Sequence, residues 1–353
     1  MVEKQVQCPS CHSSLTVQGE QGATIIITCP TCGTQGTVSF QTIQQKGKPA
    51  IEVRNLKKIY NNVAAVNGIS FTVRKGEIFA FLGPNGAGKT TTVEMIESIR
   101  QPSQGSIRLL GADIRTDFDA VKEKIGILPQ EFHSFERFTV RETLVYFSKL
   151  YKTRADIDEI LKAMDLLNDQ HKLYRNLSGG LKQRVGVAVS LVNDPEVVFL
   201  DEPTTGLDPK ARREVWEVIE GLRSKGKTVF LTTHYMEEAE YLADHIAIIH
   251  KGNIIAEGSL QQLIDCHGEG TILRIKHCKE RDIIPVLQDR GYHAKAEGNG
   301  DIAISIDYKE HVLDVLSLLK HECVDYESID IRRSNLEEIF LKLTGARLSG
   351  GDT

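Results

Sequence analysis

The sequence predicts an α/β protein built around a mostly parallel sheet, with a small β-rich unit before it and an α+β unit after it. Three observations carry this reading. From about residue 50 to 265, strand-like apolar runs alternate with helical patterns and glycine turns, the texture of parallel strands joined by crossover helices. Residues 1 to about 45 are short of charge and hold two Cys-x-x-Cys pairs. From about 268 to 347 short strands and helices follow in a different order. The expected domains are therefore 1–45, 50–265 and 268–347, with the polar stretch Gln41–Pro49 as a linker.

Bulk properties bound what the chain can be. Its 353 residues, 41% hydrophobic and 26% charged, suit a globular protein of more than one domain. A net charge of -5 gives no general attraction to nucleic acid or anionic lipid. No run approaches the roughly 18 apolar residues of a membrane-spanning helix; the most apolar stretches, such as Ile25–Ile27 and Ala247–Ile249, are strand-sized. The N-terminal MVEKQVQC lacks the apolar core of a secretory signal. These features predict a soluble, cytoplasmic chain whose membrane role, if it has one, comes through a partner.

The first unit is read from its cysteines. Cys8-Pro-Ser-Cys11 and Cys29-Pro-Thr-Cys32 are separated by 17 residues, the spacing of a four-cysteine zinc ribbon. SSLTVQG and ATIIITC suit the hairpin strands between two knuckles, and Gly33 lets the backbone turn behind the second pair. Four thiolates leave no open position, so the Zn²⁺ would be structural. A module of about 40 residues has too little core of its own, and Zn²⁺ binding is worth on the order of 10 kcal/mol in such peptides. A rubredoxin-type iron site has the same ligand set, and disulfides are disfavoured by a reducing compartment. With Lys4 as its one lysine and no arginine before residue 46, the unit lacks the positive cluster that a phosphate backbone requires. The other cysteines, Cys266, Cys278 and Cys323, are scattered and are expected to be free, buried thiols.

The central unit announces a phosphate site. Gly83-Pro84-Asn85-Gly86-Ala87-Gly88-Lys89-Thr90 fits the P-loop pattern, after the apolar strand EIFAFL and before the helical TTTVEMIES that starts at Thr90 and Thr91. The glycines let successive N–H groups face phosphate oxygens, and the helix N-terminus adds its positive dipole end. Lys89 is expected on the β- and γ-phosphates and Thr90 on Mg²⁺. Downstream, the strand VVFL ends in Asp201 and Glu202, placed to hold Mg²⁺ through its water shell and to polarise the attacking water.

Between these lies Leu177-Ser178-Gly179-Gly180-Leu181-Lys182-Gln183-Arg184-Val185. Here the chain from about 51 to 258 resembles an ATP-binding-cassette (ABC) nucleotide-binding domain: a mixed sheet core with a helical subdomain. The resemblance implies an ATPase that pairs head to tail around two Mg-ATP, with Ser178, Gly179 and Gly180 of one subunit facing the phosphate held by Lys89 of the other. It makes Gln130 the Q-loop residue that senses Mg²⁺ and water, Asp208 the D-loop residue at the dimer seam, His234 the switch histidine at the γ-phosphate and Tyr60 the adenine-stacking aromatic. Leu181 stands where many members have glutamine, an apolar choice common in export-type members.

The resemblance also implies a partner, a separately encoded integral membrane permease. The ATPase would then be peripheral on the inner face of the cell membrane, as a homodimer or with a paralogue. A soluble cassette protein of translation would carry two cassettes, and only one is present. A chromosome or repair ATPase would split its cassette with a coiled coil; here the P-loop and signature lie fewer than a hundred residues apart with no heptad run. A ribosome- or DNA-associated role is the alternative.

The last unit reads in order as strand (TILRIKH), helix (ERDIIPVLQDRG), hairpin turning on Glu297–Gly300, helix (KEHVLDVLSLLKHE) and strand (VDYESIDIRR). That is βαββαβ, the ferredoxin-like arrangement. SNLEEIFLKLTG is a closing helix, expected to start at Ser334 with Glu337 completing a capping box; Leu336, Ile339, Phe340 and Leu343 fall on one packing face. This block resembles the accessory domain of exporter ATPases linked to drug, antibiotic and sodium efflux.

Overall fold

A computed structural model describes residues 2–7, 14–19, 24–33, 35–39, 48–268, 271–278, 283–297, 300–306, 310–322 and 324–345. They fall into two compact units, Met1–Pro49 and Ala50–Thr353.

The first unit contains two antiparallel hairpins. Strand β1 (Val2–Gln7) pairs with β2 (Ser14–Gly19), and β3 (Thr24–Thr28) with β4 (Gln35–Ser39). Between β3 and β4, Cys29 is buried and Cys32 exposed. Gly33 turns there with φ 74°, and its N–H donates to the Cys29 carbonyl at 2.9 Å. Cys8 and Cys11 lie outside the described residues, and among those described no group of three or more His, Cys, Asp or Glu gathers as a metal site.

The second unit runs β5 (Pro49–Tyr60), β6 (Val63–Arg74), β7 (Ile78–Leu82), α1 (Lys89–Ile96), β8 (Gln104–Leu109), β9 (Ala112–Asp113) and β10 (Ile125–Leu128). A helical stretch follows, α2 (Val140–Ser148), α3 (Ile157–Ala163) and α4 (Gly179–Val189). Then come β11 (Val197–Asp201), α5 (Pro209–Ser224), β12 (Thr228–Thr233), α6 (Met236–Leu242), β13 (His245–His250), β14 (Asn253–Gly258) and α7 (Leu260–His267). The main sheet is ordered β10-β11-β12-β7-β13-β14. Its first five strands are parallel and β14 is antiparallel, so the sheet is mixed. Every residue of β7, β11 and β12 is buried, which is why the runs IFAFL, VVFL and VFL within them are continuously apolar rather than alternating.

A second sheet, β6-β5-β8-β9, covers one face of the first. Between them Phe71, Phe79, Phe81 and Phe230 meet at centroid distances of 5.3 to 6.0 Å. On the other face Leu128, Leu200 and Leu231 pack with Val185 of α4 and Val215 and Ile219 of α5. The register matters for function. Asp201 lies opposite Thr232, and Thr233 opposite Leu82. The ends of β11, β12 and β7 therefore open onto one edge, the usual place for a ligand in an α/β sheet.

The chain closes with β15 (Thr271–Lys276), α8 (Ile283–Asp289), β16 (His293–Ala296), β17 (Ile302–Ile306), α9 (Glu310–His321), β18 (Ser328–Arg333) and α10 (Leu336–Thr344). These strands are ordered β16-β17-β15-β18, and each neighbouring pair is antiparallel. Leu273, Ile275, Ile302 and Ile304 pack against Leu287 of α8 and Val315 of α9. Helix α10 belongs elsewhere: Leu336, Ile339 and Phe340 pack with Ile246, Ile248 and Leu263 of the main-sheet region, and Leu343 lies alongside.

Two expectations are corrected. Asn335, not Ser334, caps α10, its Oδ1 accepting the Glu338 N–H at 2.9 Å. Ser334 is buried, and the Leu336 N–H is taken by Glu240 Oε1 at 2.7 Å, so the helix begins one residue later. Cys278 is buried as expected but Cys266 is exposed on α7; Cys323 lies outside the described residues.

Candidate functional site

The P-loop leaves β7 at Gly83, whose N–H donates to the Thr233 carbonyl at 3.2 Å. The turn closes at Gly88, with φ 107°. A Cβ at Gly88 would come within 2.5 Å of the Ala65 carbonyl oxygen, and one at Gly83 within 2.3 Å of the Ile249 carbonyl oxygen. Both glycines are therefore required by close backbone approach, and Gly88 by conformation as well. Asn85, Gly86, Gly88, Lys89, Thr90 and Thr91 line a cleft of about 270 Å³, bounded across from them by Gln130, Glu202 and Ala65. Pro84 and Ala87 form the frame of the loop, the Ala87 N–H bonding the Pro84 carbonyl at 3.2 Å.

Lys89 is the first residue of α1 and is 4% exposed. Its Nζ donates to the carbonyls of Gly83 at 2.8 Å and Pro84 at 3.2 Å, and pairs with Glu202 Oε1 at 3.1 Å. Glu202 is the hub of the cleft. Its Oε2 accepts from Thr205 Oγ1 at 3.1 Å and Gln130 Nε2 at 3.4 Å, and faces His234 Nδ1 at 3.1 Å. Burial alone would push this carboxyl up, but the His234 hydrogen bond and the Lys89 ammonium outweigh it and bring the pKa down to about 2. Glu202 is thus an anion throughout the physiological range. Its backbone is held in the left-handed region, φ 48°, with its N–H bonded to Thr232 Oγ1 at 3.0 Å. A non-glycine residue in that conformation persists only where its surroundings hold it.

Asp201, one residue earlier, is bonded to the Thr232 and Thr90 hydroxyls. Burial raises its pKa, and the threonine hydroxyls oppose the shift. A carboxylate beside a P-loop threonine hydroxyl is a hard-oxygen donor set of the kind Mg²⁺ takes. Glu97, at the end of α1, is 6% exposed, and burial, then the charges of Asp201 and Glu94, push it up to about 8.

Not every expected residue gathers here. Tyr60 is 38% exposed at the end of β5, with Lys58 Nζ 5.2 Å and the Arg100 guanidinium carbon 5.5 Å from its ring centroid; Ala65, not Tyr60, lines the cleft. Ser178 and Gly179 are exposed, while Gly180 is buried against Ala211. Ser178 caps α4, and Asp208 caps α5 through the Lys210 and Ala211 N–H groups at 3.0 and 3.1 Å. None of these four lines the cleft that holds Lys89. Sequence reasoning missed Ala65, Thr205 and Thr232. Only Thr232 left a trace, as one of the two threonines that follow the apolar run Val229-Phe230-Leu231.

The chain is similar in sequence and fold to known proteins. A family model described as "ABC transporter" covers residues 66–205, and a second, AAA-domain model covers 173–238. The Nod factor export ATP-binding protein I of Burkholderia orbicola (strain AU 1054) is 37% identical over 84% of this chain and 98% of its own length. This chain belongs to the ABC transporter ATP-binding family. The daunorubicin resistance ATP-binding protein DrrA3 of Streptomyces coeruleorubidus is 36% identical over 84% of this chain and 96% of its own. Among solved structures, cbiO1 from Clostridium perfringens matches with TM-score 0.57 and 26% identity over 69% of this chain and 96% of that one. A dimeric bacterial ABC transporter cassette matches with TM-score 0.54 and 26% identity over 60% and 98%. This ABC subunit is an ATPase whose hydrolysis is coupled to transport, on a P-loop cassette fold. Among the described residues no helix is long and apolar enough to cross a membrane.

Proposed function

We propose that this ABC ATPase powers an exporter, dimerising head to tail around two Mg-ATP and driving a separate integral membrane permease from the inner face of the cell membrane. Lys89 and the P-loop amides hold the β- and γ-phosphates, Thr90 and Asp201 with Gln130 hold Mg²⁺, and Tyr60 meets the base. Bound there, Mg²⁺ neutralises charge on the phosphate oxygens. Glu202 polarises the attacking water and His234 contacts the γ-phosphate. The observation that carries this reading is the Lys89–Glu202 pair, 3.1 Å apart with side chains 4% and 5% exposed. A buried pair of this kind is costly to maintain. A γ-phosphate entering the cleft takes over the Lys89 ammonium and releases the Glu202 carboxylate to water. Export is supported by the relatives named for Nod factor export and daunorubicin resistance.

The decisive experiment uses Glu202→Gln purified from detergent-solubilised membranes. It is expected to bind Mg-ATP, to lose turnover by about a hundredfold or more and to co-purify with a polytopic membrane protein. Wild-type hydrolysis would overturn the role given to Glu202; co-purification with ribosomes or DNA instead would overturn transport.

The same proposal makes residues 1–45 a zinc ribbon on Cys8, Cys11, Cys29 and Cys32, and residues 268–347 a ferredoxin-like accessory domain after the cassette of 50–265. The paired hairpins and the Gly33 turn behind Cys29 support the first. The strand order β16-β17-β15-β18 supports the second. Elemental analysis is expected to find one tightly held zinc per chain, lost in Cys29→Ser; finding none, or iron, rejects the ribbon.

A further inference from the structure

Glu238 is a carboxyl with no access to solvent, in the first turn of α6. Its Oε1 accepts from Thr204 Oγ1 at 2.7 Å and from the Trp216 indole N–H at 2.9 Å. These two donors come from different places. Thr204 lies in the turn immediately after Glu202, where Thr205 in turn donates to Glu202. Trp216 is in the middle of α5, the helix that Asp208 caps. Glu238 itself sits one turn beyond His234, whose strand and helix are joined by the Tyr235 N–H bonded to Thr233 Oγ1 at 2.9 Å. A second contact spans the same seam, with the Arg212 guanidinium carbon 4.0 Å from the Tyr235 ring centroid.

A purely apolar side chain would fill this space without removing a carboxyl from water, a cost that is repaid only by well-placed partners. Burial pushes Glu238 up, and the Thr233, Thr204 and Trp216 donors pull it back. What the carboxyl gains is geometry: one oxygen reaches two segments that must keep a fixed relation. Both ends of this brace lead to Glu202, through Thr204 and Thr205 on one side and through His234 on the other.

We propose that Glu238 is a positioning residue for ATP hydrolysis, tying the turn after Glu202 to the helix after His234 so that both side chains address one water and one γ-phosphate. This rests on the roles given above to Glu202 and His234. A loss of hydrolysis in Glu202→Gln would leave the role of Glu202 standing whatever Glu238 does, so the two readings fail separately.

The test is steady-state ATPase activity of the full-length protein, with the affinity for ATP and thermal melting measured alongside. Glu238→Gln keeps a carbonyl acceptor at the same place and is expected within about threefold of wild-type kcat. Glu238→Ala is expected to lose about tenfold or more, with KM for ATP nearly unchanged, because misplacing catalytic groups costs rate more than binding. Thr204→Val removes one donor without changing shape; it is expected to lower kcat as well, and the double variant to be no slower than Glu238→Ala alone. Wild-type kcat in Glu238→Ala overturns the proposal. So does a loss that tracks lowered melting temperature and raised KM and that Glu238→Gln does not rescue. If Glu238→Ala does not fold, Thr204→Val decides: wild-type kcat there overturns the proposal, and lowered kcat with unchanged KM supports it.

Discussion

Glu97 shows how the site reaches into the stability of the fold. Its carboxyl is buried at the end of α1, and burial together with Asp201 and Glu94 lifts its pKa from 4.5 to about 8. The folded chain therefore keeps a proton that the unfolded chain releases. Stability from this group is full below pH 4.5 and is lost as pH climbs to about 8. Each pH unit of that climb costs about 1.4 kcal/mol. Glu97→Gln cannot titrate. In denaturant unfolding of nucleotide-free protein it is expected to match wild type near pH ~4 and to exceed it by about 2 kcal/mol or more near pH ~9. Parallel pH profiles for the two proteins would refute the assignment. Glu202 has the opposite sign: held near 2, it favours the folded state above pH 4.5 and loses that advantage progressively as pH falls from 4.5 to about 2. Nothing in the local sequence announced Glu97, because its environment is made first by burial in the folded chain and then by Asp201, more than a hundred positions away, with only Glu94 nearby in sequence.

At the scale of elements, legibility followed the range of the forces. The P-loop was readable because strand, turn and helix are contiguous, and the close approaches at Gly83 and Gly88 are written in residue type. The order of strands and helices in 271–333 was readable because each has its own period, and the Gly33 turn because left-handed backbone favours glycine. The start of α10 differs by one residue from its sequence signal, since Ser334 and Asn335 are both good caps. The choice fell to a tertiary contact, Glu240 taking the Leu336 N–H. Likewise the periodicity of Leu336, Ile339 and Phe340 identified a packing face but not its partner, which is the β13 and α7 region rather than the sheet of β15 to β18. Ala65 lines the cleft, and Thr205 and Thr232 reach Glu202 from behind it, only through strand register and loop closure, neither of which a single chain segment encodes.

At the scale of the molecule, the cleft and the signature turn of one chain do not meet. Lys89, Thr90 and Glu202 share one cleft, while Ser178 and Gly179 present a helix N-terminus to solvent away from its lining. A helix N-terminus is a natural anion seat, and the head-to-tail pairing proposed here would give each one the phosphate held by the other subunit. Mixing two inactive proteins tests this. Glu202→Gln spoils the cleft and leaves Ser178 intact; Ser178→Arg spoils the signature and leaves Glu202 intact. In a mixed dimer one site unites the sound cleft of one chain with the sound signature of the other. If sites are composite and independent, an equimolar mixture recovers about a quarter of wild-type hydrolysis, since half the dimers are mixed and each has one good site of two. If each chain hydrolyses ATP with its own signature, the mixture stays at the sum of its inactive parts, and the head-to-tail arrangement is wrong. Recovery that rises with protein concentration would further place the control of this ATPase in the association of its subunits, the step that a membrane partner is best placed to govern.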